Sequence, residues 1–185
     1  MSSVKSIELV PRSQATITAE LELLARQFPS VRMVNIPVLL RFDRRSWEAS
    51  ALGQASLERA VPHLRAMDFP VEAAAQLASL LQGLGLREAL LVRGDSPQDL
   101  ARPVYSVTSA ELIQAPKRAE PGLRLYAVFD PYRRGLRAGI EIAHEKITAG
   151  ASGPFTQPFF DLRYLEICVD VLPKTDIFWG GSLQF

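Results

Sequence analysis

Polar side chains stand at or just beyond the ends of short apolar runs along this chain: Glu8, Asn35, His63, Arg93 with Asp95, Asp130 and Gln157. Glu8 lies between apolar residues in SIELV, and a carboxyl desolvated there has a raised pKa that suits it to donate a proton. Its structural alternative is a salt bridge to Lys5 or Arg12. In the trio Arg93, Gly94 and Asp95, the arginine offers forked donors to a phosphate or a ring carbonyl. The glycine lets backbone approach a flat ring, and the carboxylate steadies a cation. Asp95-Ser96-Pro97 is also a good helix start, and both readings hold together. His63 follows Pro62 in a strand, where a lone histidine is more often a structural hydrogen-bonder. The stretch FTQPFFDLRYLE (155–166) spends an amide, a proline and two phenylalanines where a loop ordinarily has small polar residues. Exposed rings cost burial free energy and invite association, so this loop is built to meet something.

The elements that must position these groups are legible as alternating patterns. Short runs rich in β-branched and aromatic residues lie at 6–10, 31–40, 60–66, 88–94, 123–129, 151–159 and 175–181, and predict buried strands. Between them, 13–28, 44–60, 69–85, 108–116, 134–150 and 161–173 carry apolar residues at helical spacing. In 69–85, Pro70 suits a first turn, Leu77, Leu80 and Leu81 share a face, and Gly85 supplies the stop. Unbroken β/α alternation predicts parallel strands with helical crossovers, in one domain spanning 1–185. Neither G-x-G-x-x-G nor a P-loop follows the first strand, so an open dinucleotide-binding sheet is disfavoured. Polar residues at strand ends favour a (β/α) barrel, whose strand ends converge on one mouth.

Composition narrows the function. The 185 residues are 48% hydrophobic and 22% charged, with a formal net charge of +1, so no field of one sign exists to capture nucleic acid or an anionic membrane. No stretch approaches the roughly 18 apolar residues of a membrane span, and MSSVKSIELV (1–10) has no long apolar run, so a soluble, unprocessed protein is expected. Cys168, the single cysteine, cannot form an internal disulfide and reads as core on a helix face. A cytoplasmic protein is expected. His144 belongs on a solvated helix face, and two distant histidines with one cysteine make no metal spacing, so no metal is expected.

VPHLRA (61–66), LLVRGDSP (90–97), VYSVTSAELI (104–113) and EKITAGASGPFTQPFFDLRYLE (145–166), in this order and spacing, resemble the methylenetetrahydrofolate reductase family from Ile7 to about Gly181. The resemblance implies a TIM-type (β/α)8 barrel with FAD at its mouth. It implies reduction of 5,10-methylenetetrahydrofolate to 5-methyltetrahydrofolate with NAD(P)H, NADH or NADPH, in one-carbon and methionine metabolism. It places Glu8 as general acid and Asp95 beside the flavin, where it tunes the ring and stabilises the folate iminium. Asn35, His63, Arg93, Gly94, Tyr105, Ser106, Phe129 and Lys146 take flavin-side positions, with Lys146 at the diphosphate and Phe129 keeping a stacking face but losing a phenol. Gln157 matches a pterin-binding amide, whose donor and acceptor suit the pterin edge. Phe159 and Phe160 then wall the pocket or pack beneath it, and Asp161 caps the next helix. Against the family, the chain ends after about seven strands, without the last β/α unit. The expected assembly is a homo-oligomer or a pairing with a completing partner chain. A non-catalytic or split-subunit folate- or flavin-binding relative is the alternative.

Overall fold

Each apolar run from the first to the sixth forms a strand, and each amphipathic stretch forms a helix. The structure, a computed structural model, describes residues 4–94, 103–172, 175 and 177–180. Asp95, placed by the sequence beside a flavin, lies outside the described residues. The chain runs β1 (Lys5–Glu8), α1 (Gln14–Gln27), β2 (Val31–Ile36), α2 (Ser46–Ser56), β3 (Arg59–Arg65), α3 (Ala74–Gly83) and β4 (Glu88–Val92). It continues with α4 (Ser109–Ala119), β5 (Arg124–Phe129), α5 (Leu136–Thr148), β6 (Gly153–Thr156) and α6 (Leu162–Val171). The strands lie in the order β1-β2-β3-β4-β5-β6, all neighbours parallel. The curled sheet with its outer helices is an incomplete TIM-type barrel.

Period-2 alternation sorts the strand residues onto two faces. Val34, Ile36, Ala60, Leu64, Ala89, Leu91, Leu125 and Ala127 face outward into the main core, with Ile17 and Leu21 of α1, Leu77 and Leu81 of α3 and Leu112 of α4. Met33, Val61, Leu90 and Tyr126 face inward and plug the barrel, with Phe155 and Phe178 packed against them. A third cluster, Phe129, Ala143, Cys168 and Leu172, seats α5 and α6.

Several expectations shift locally. The seventh run forms, among the described residues, only an isolated parallel bridge between Phe178 and Phe155 rather than a strand. Its carbonyl and amide still bond Thr156 and Pro154 at 2.9 Å each. The second strand stops at Ile36, before Pro37, which has no N–H to give the ladder. Pro70 caps a 3-10 turn at Val71–Ala73 rather than opening α3 itself. Leu80 is 38% exposed while Leu77 and Leu81 are buried, so the apolar face of α3 is narrower than its sequence suggests. Helix α4 runs on through Pro116, three residues beyond the predicted end.

Candidate functional site

The C-terminal ends of the strands open on a cavity of about 990 Å³, reached by Ser6 and Glu8 of β1, Asn35 of β2 and His63 of β3. Gln157 closes the far side, just beyond β6, with Phe178 and Trp179 beside it, and Leu90, Val92, Val128 and Phe155 form an apolar wall. Parallel pairing sets Glu8 directly beside Asn35. The Asn35 amide donates to Ser6 Oγ at 3.0 Å, and its carbonyl oxygen meets His63 Nε2 at 3.1 Å. With the amide so oriented, Nε2 is the protonated nitrogen of His63, leaving Nδ1 as an acceptor. Burial pushes the His63 pKa down to about 4, so the ring is neutral at pH 7.

Glu8 is solvent-accessible within this mouth, yet partial burial raises its pKa above the ordinary carboxylate value. Neither alternative partner reaches it: Arg12 pairs instead with Glu20 at 3.4 Å, and Lys5 forms no ion pair with a described residue. A carboxyl with a raised pKa and no counter-charge among the described residues has the chemistry to donate a proton. Gln157 holds its place through its backbone N–H, which donates to the Phe129 carbonyl at 2.9 Å, leaving the exposed side-chain amide free to turn into the cavity.

Other predicted site residues lie elsewhere. Phe129 is 2% exposed, in the cluster beneath α5 and α6, so its ring does not line the cavity. Lys146 donates to the Val128 carbonyl at 2.8 Å, and burial lowers its pKa. Tyr105 is half-buried beside the main core, its N–H donating to Met67 at 3.0 Å, and Ser106 is exposed. Arg93 is exposed at the end of β4. Gly94 has φ +85°, which favours glycine, and a Cβ there would lie 2.7 Å from Nε of Arg65, which would have to shift. Asp130 accepts from the N–H groups of Tyr132 and Arg133 at 2.9 and 3.2 Å and shapes a turn. Of the two loop phenylalanines, Phe159 packs against Trp179 and the Cys168 cluster, whereas Phe160 is 83% exposed beside Tyr132. Asp161 caps α6, accepting from the Arg163 N–H at 2.9 Å.

Ser6, Arg59, Thr156 and Trp179 also line the cavity, and sequence reasoning missed them. Arg65, 8% exposed and packed under Gly94, was missed as well. A signal existed for two of these, because Arg59 and Arg65 sit at even spacing from His63 and so share its inward face. Among the described residues no group of three or more His, Cys, Asp and Glu could hold a metal, and no helix is long and apolar enough to cross a membrane.

The family model for methylenetetrahydrofolate reductase matches residues 42–177. The 5,10-methylenetetrahydrofolate reductase of Pectobacterium carotovorum subsp. carotovorum is 30% identical over 115 residues, 60% of this chain and 39% of that protein. The same enzyme of Escherichia coli (strain K12) is 27% identical over 126 residues, 65% of this chain and 43% of that protein. The chain thus spans about two fifths of the length of these relatives. Among solved structures, 2,3-dimethylmalate lyase superposes with a TM-score of 0.70 at 11% identity, over 95% of this chain and 65% of its own. A protein from Clostridium thermocellum that binds two copies of 5-methyl-5,6,7,8-tetrahydrofolic acid superposes with a TM-score of 0.67 at 12% identity, over 96% of this chain and 65% of its own. At these identities the superpositions speak for the barrel fold alone.

Proposed function

Because this chain belongs to the methylenetetrahydrofolate reductase family, we propose that it takes part in flavin-dependent reduction of 5,10-methylenetetrahydrofolate to 5-methyltetrahydrofolate, with NAD(P)H as the electron source. The observation that carries this reading is the convergence of Glu8, Asn35, His63 and Gln157 on one cavity at the C-terminal ends of the strands. That is where (β/α) barrels place their chemistry.

The residues around the cavity fit a flavin ring. Leu90, Val92, Val128 and Phe155 give a flat aromatic system an apolar wall, and the neutral His63, which also lines the cavity, keeps one ring nitrogen as an acceptor. The glycine turn at 94 lets backbone lie close to the strand ends. A bound flavin would supply hydride chemistry, taking a hydride from a reduced nicotinamide and passing it to the folate carbon. The chain's own contributions are positional and protic. Glu8, kept protonated to higher pH by desolvation, donates its proton to the folate nitrogen that leaves the bridging carbon. Gln157 pairs with the donor and acceptor of a pterin edge. The Ser6–Asn35–His63 chain fixes the histidine tautomer without adding charge.

A second reading, a folate-binding relative without redox chemistry, draws on two placements. Lys146 is engaged by the Val128 carbonyl and Phe129 lies under the helices, so neither flavin-side position faces the cavity. The visible spectrum separates the two. Protein that takes up FAD, bleaches with NADH and recovers its yellow colour with methylenetetrahydrofolate supports the reductase. Protein that stays colourless with added FAD, yet binds 5-methyltetrahydrofolate by calorimetry, overturns it in favour of the binding role.

A further inference from the structure

A second, smaller cavity of about 440 Å³ opens on the loops that leave β1 and β2, the strands that carry Glu8 and Asn35. Arg12, Arg41 and Arg44 line it, with Asp43 and Glu48 as the carboxylates. Three guanidinium groups thus face two carboxylates. Glu48 uses Oε2 to accept from the Arg45 N–H at 2.9 Å, in the capping box of α2. Arg44 is steadied by a neutral partner, donating to the Gln14 side-chain oxygen at 3.0 Å. The Arg41 guanidinium lies 5.1 Å from the Phe42 ring centroid and has no ion pair with a described residue. Arg12 alone has a carboxylate partner, Glu20. In a chain of net charge +1, the segment RFDRRS (41–46) therefore gathers an excess of forked donors at the same end of the barrel as the candidate site.

The two cavities are neighbours. Glu8 lines the larger and Arg12 the smaller, and four residues separate their Cα atoms by at most about 14 Å. We propose that the arginine-lined cavity is a subsite for a chain of closely spaced anionic groups, the charged end of a ligand whose ring system occupies the larger cavity. Two ligand classes present such an end: a folate extended by γ-linked glutamates, and a dinucleotide with its diphosphate. The identity of the ring rests on the function proposed above, whereas the anion site rests on the arginines themselves.

Calorimetric titration of the full chain tests it, comparing the native protein with an Arg41→Ala/Arg44→Ala variant and with Arg41→Ala alone, which leaves the Gln14 contact intact. The probes are 5-methyltetrahydrofolate with one and with three glutamates, the free γ-linked triglutamate, NADH and reduced nicotinamide mononucleotide. The expected result is that triglutamylation tightens folate binding about 10-fold in the native protein, and that the double variant loses this gain and weakens at high salt no further. Loss of about 10-fold for NADH with none for the mononucleotide supports the subsite and assigns it to the diphosphate instead. Discrimination by the free triglutamate in a protein that ignores the monoglutamyl folate supports the subsite while removing the folate reading. If both variants bind every probe within about twofold of the native protein, the subsite is overturned.

Discussion

Inside one barrel, two polar arrays are built in opposite ways. Near the strand beginnings, Glu88 receives two arginines. Arg59 reaches Oε2 through Nη2 at 2.6 Å and both oxygens through Nε at 2.9 and 3.1 Å, and Arg124 also bonds Oε1. Arg59 also donates to the Tyr126 hydroxyl at 2.8 Å and lies 5.2 Å from the centroid of the Phe178 ring, so it ties β3 to β5 and to the segment beside β6. Burial by itself lowers the Arg59 pKa, but the hydrogen bonds and charge of Glu88 outweigh it and the net shift is upward. At the strand ends the logic reverses. His63 is kept neutral, Asn35 and Ser6 carry no charge, and Glu8 has no counter-ion among the described residues. The first array is a set of charges that satisfy one another, and the second a neutral hydrogen-bonded chain beside a carboxyl without a counter-ion among the described residues, which is what the proposed acid role asks of Glu8.

That contrast can be broken experimentally. Glu8→Gln is expected to have the largest effect, slowing the folate half-reaction by about 10² to 10⁴ while leaving reduction of bound flavin by NADH unchanged. Stopped-flow measurement of the two half-reactions separates these, and equal loss in both would put Glu8 among the structural groups. The raised Glu8 pKa adds a pH signature. The protonated acid persists to higher pH than an ordinary carboxyl, and the folate step falls as pH rises through that pKa. The strand-beginning array should answer in stability instead. Glu88→Gln leaves the half-buried Arg59 without its counter-charge and is expected to cost about 3 kcal/mol in urea unfolding, with flavin uptake unaffected in whatever protein folds. An effect under about 1 kcal/mol would make this array dispensable.

His63 sharpens the comparison further. Its folded pKa of about 4 lies below the unfolded value of 6.5, so the unfolded chain takes up the proton first. Stability contributed by the neutral ring is whole above pH 6.5 and declines as pH falls toward 4, by about 3 kcal/mol in all. His63→Gln should flatten that part of the pH–stability curve, and an unchanged slope would assign the decline to other groups. Smallest is Gly94→Ala, expected to cost about 1 to 2 kcal/mol for its positive φ and the approach to Arg65. Thermal melts would read it, and a neutral outcome would mean that the Arg65 side chain yields.

The sequence carried the strands and helices well because each has a period of its own, and polar residues at strand ends told the barrel from the open sheet. The same alternation placed Glu8, Asn35 and His63 on one mouth. Phe129 shows where reading by resemblance outran reading by period. It follows Val128, which lines the cavity, so alternation sends the aromatic ring outward beneath α5. The Arg59–Glu88–Arg124 array could not be found by spacing along the chain, because partners 29 and 36 residues apart meet only once parallel pairing sets their register. Lys146 likewise gave no sign in sequence that a strand carbonyl would engage it.

The strand order carries one more consequence, for how the molecule is made. Each of the six strands pairs only with its immediate predecessor and successor in sequence, so no early strand waits for a late one to be inserted beside it. Every new β/α unit leaving a ribosome meets an edge already formed, and the barrel can grow by accretion from the N-terminal side. Among the described strands β1 keeps an outer edge throughout, whereas each later edge is an unpaired parallel strand only until the next unit is synthesised.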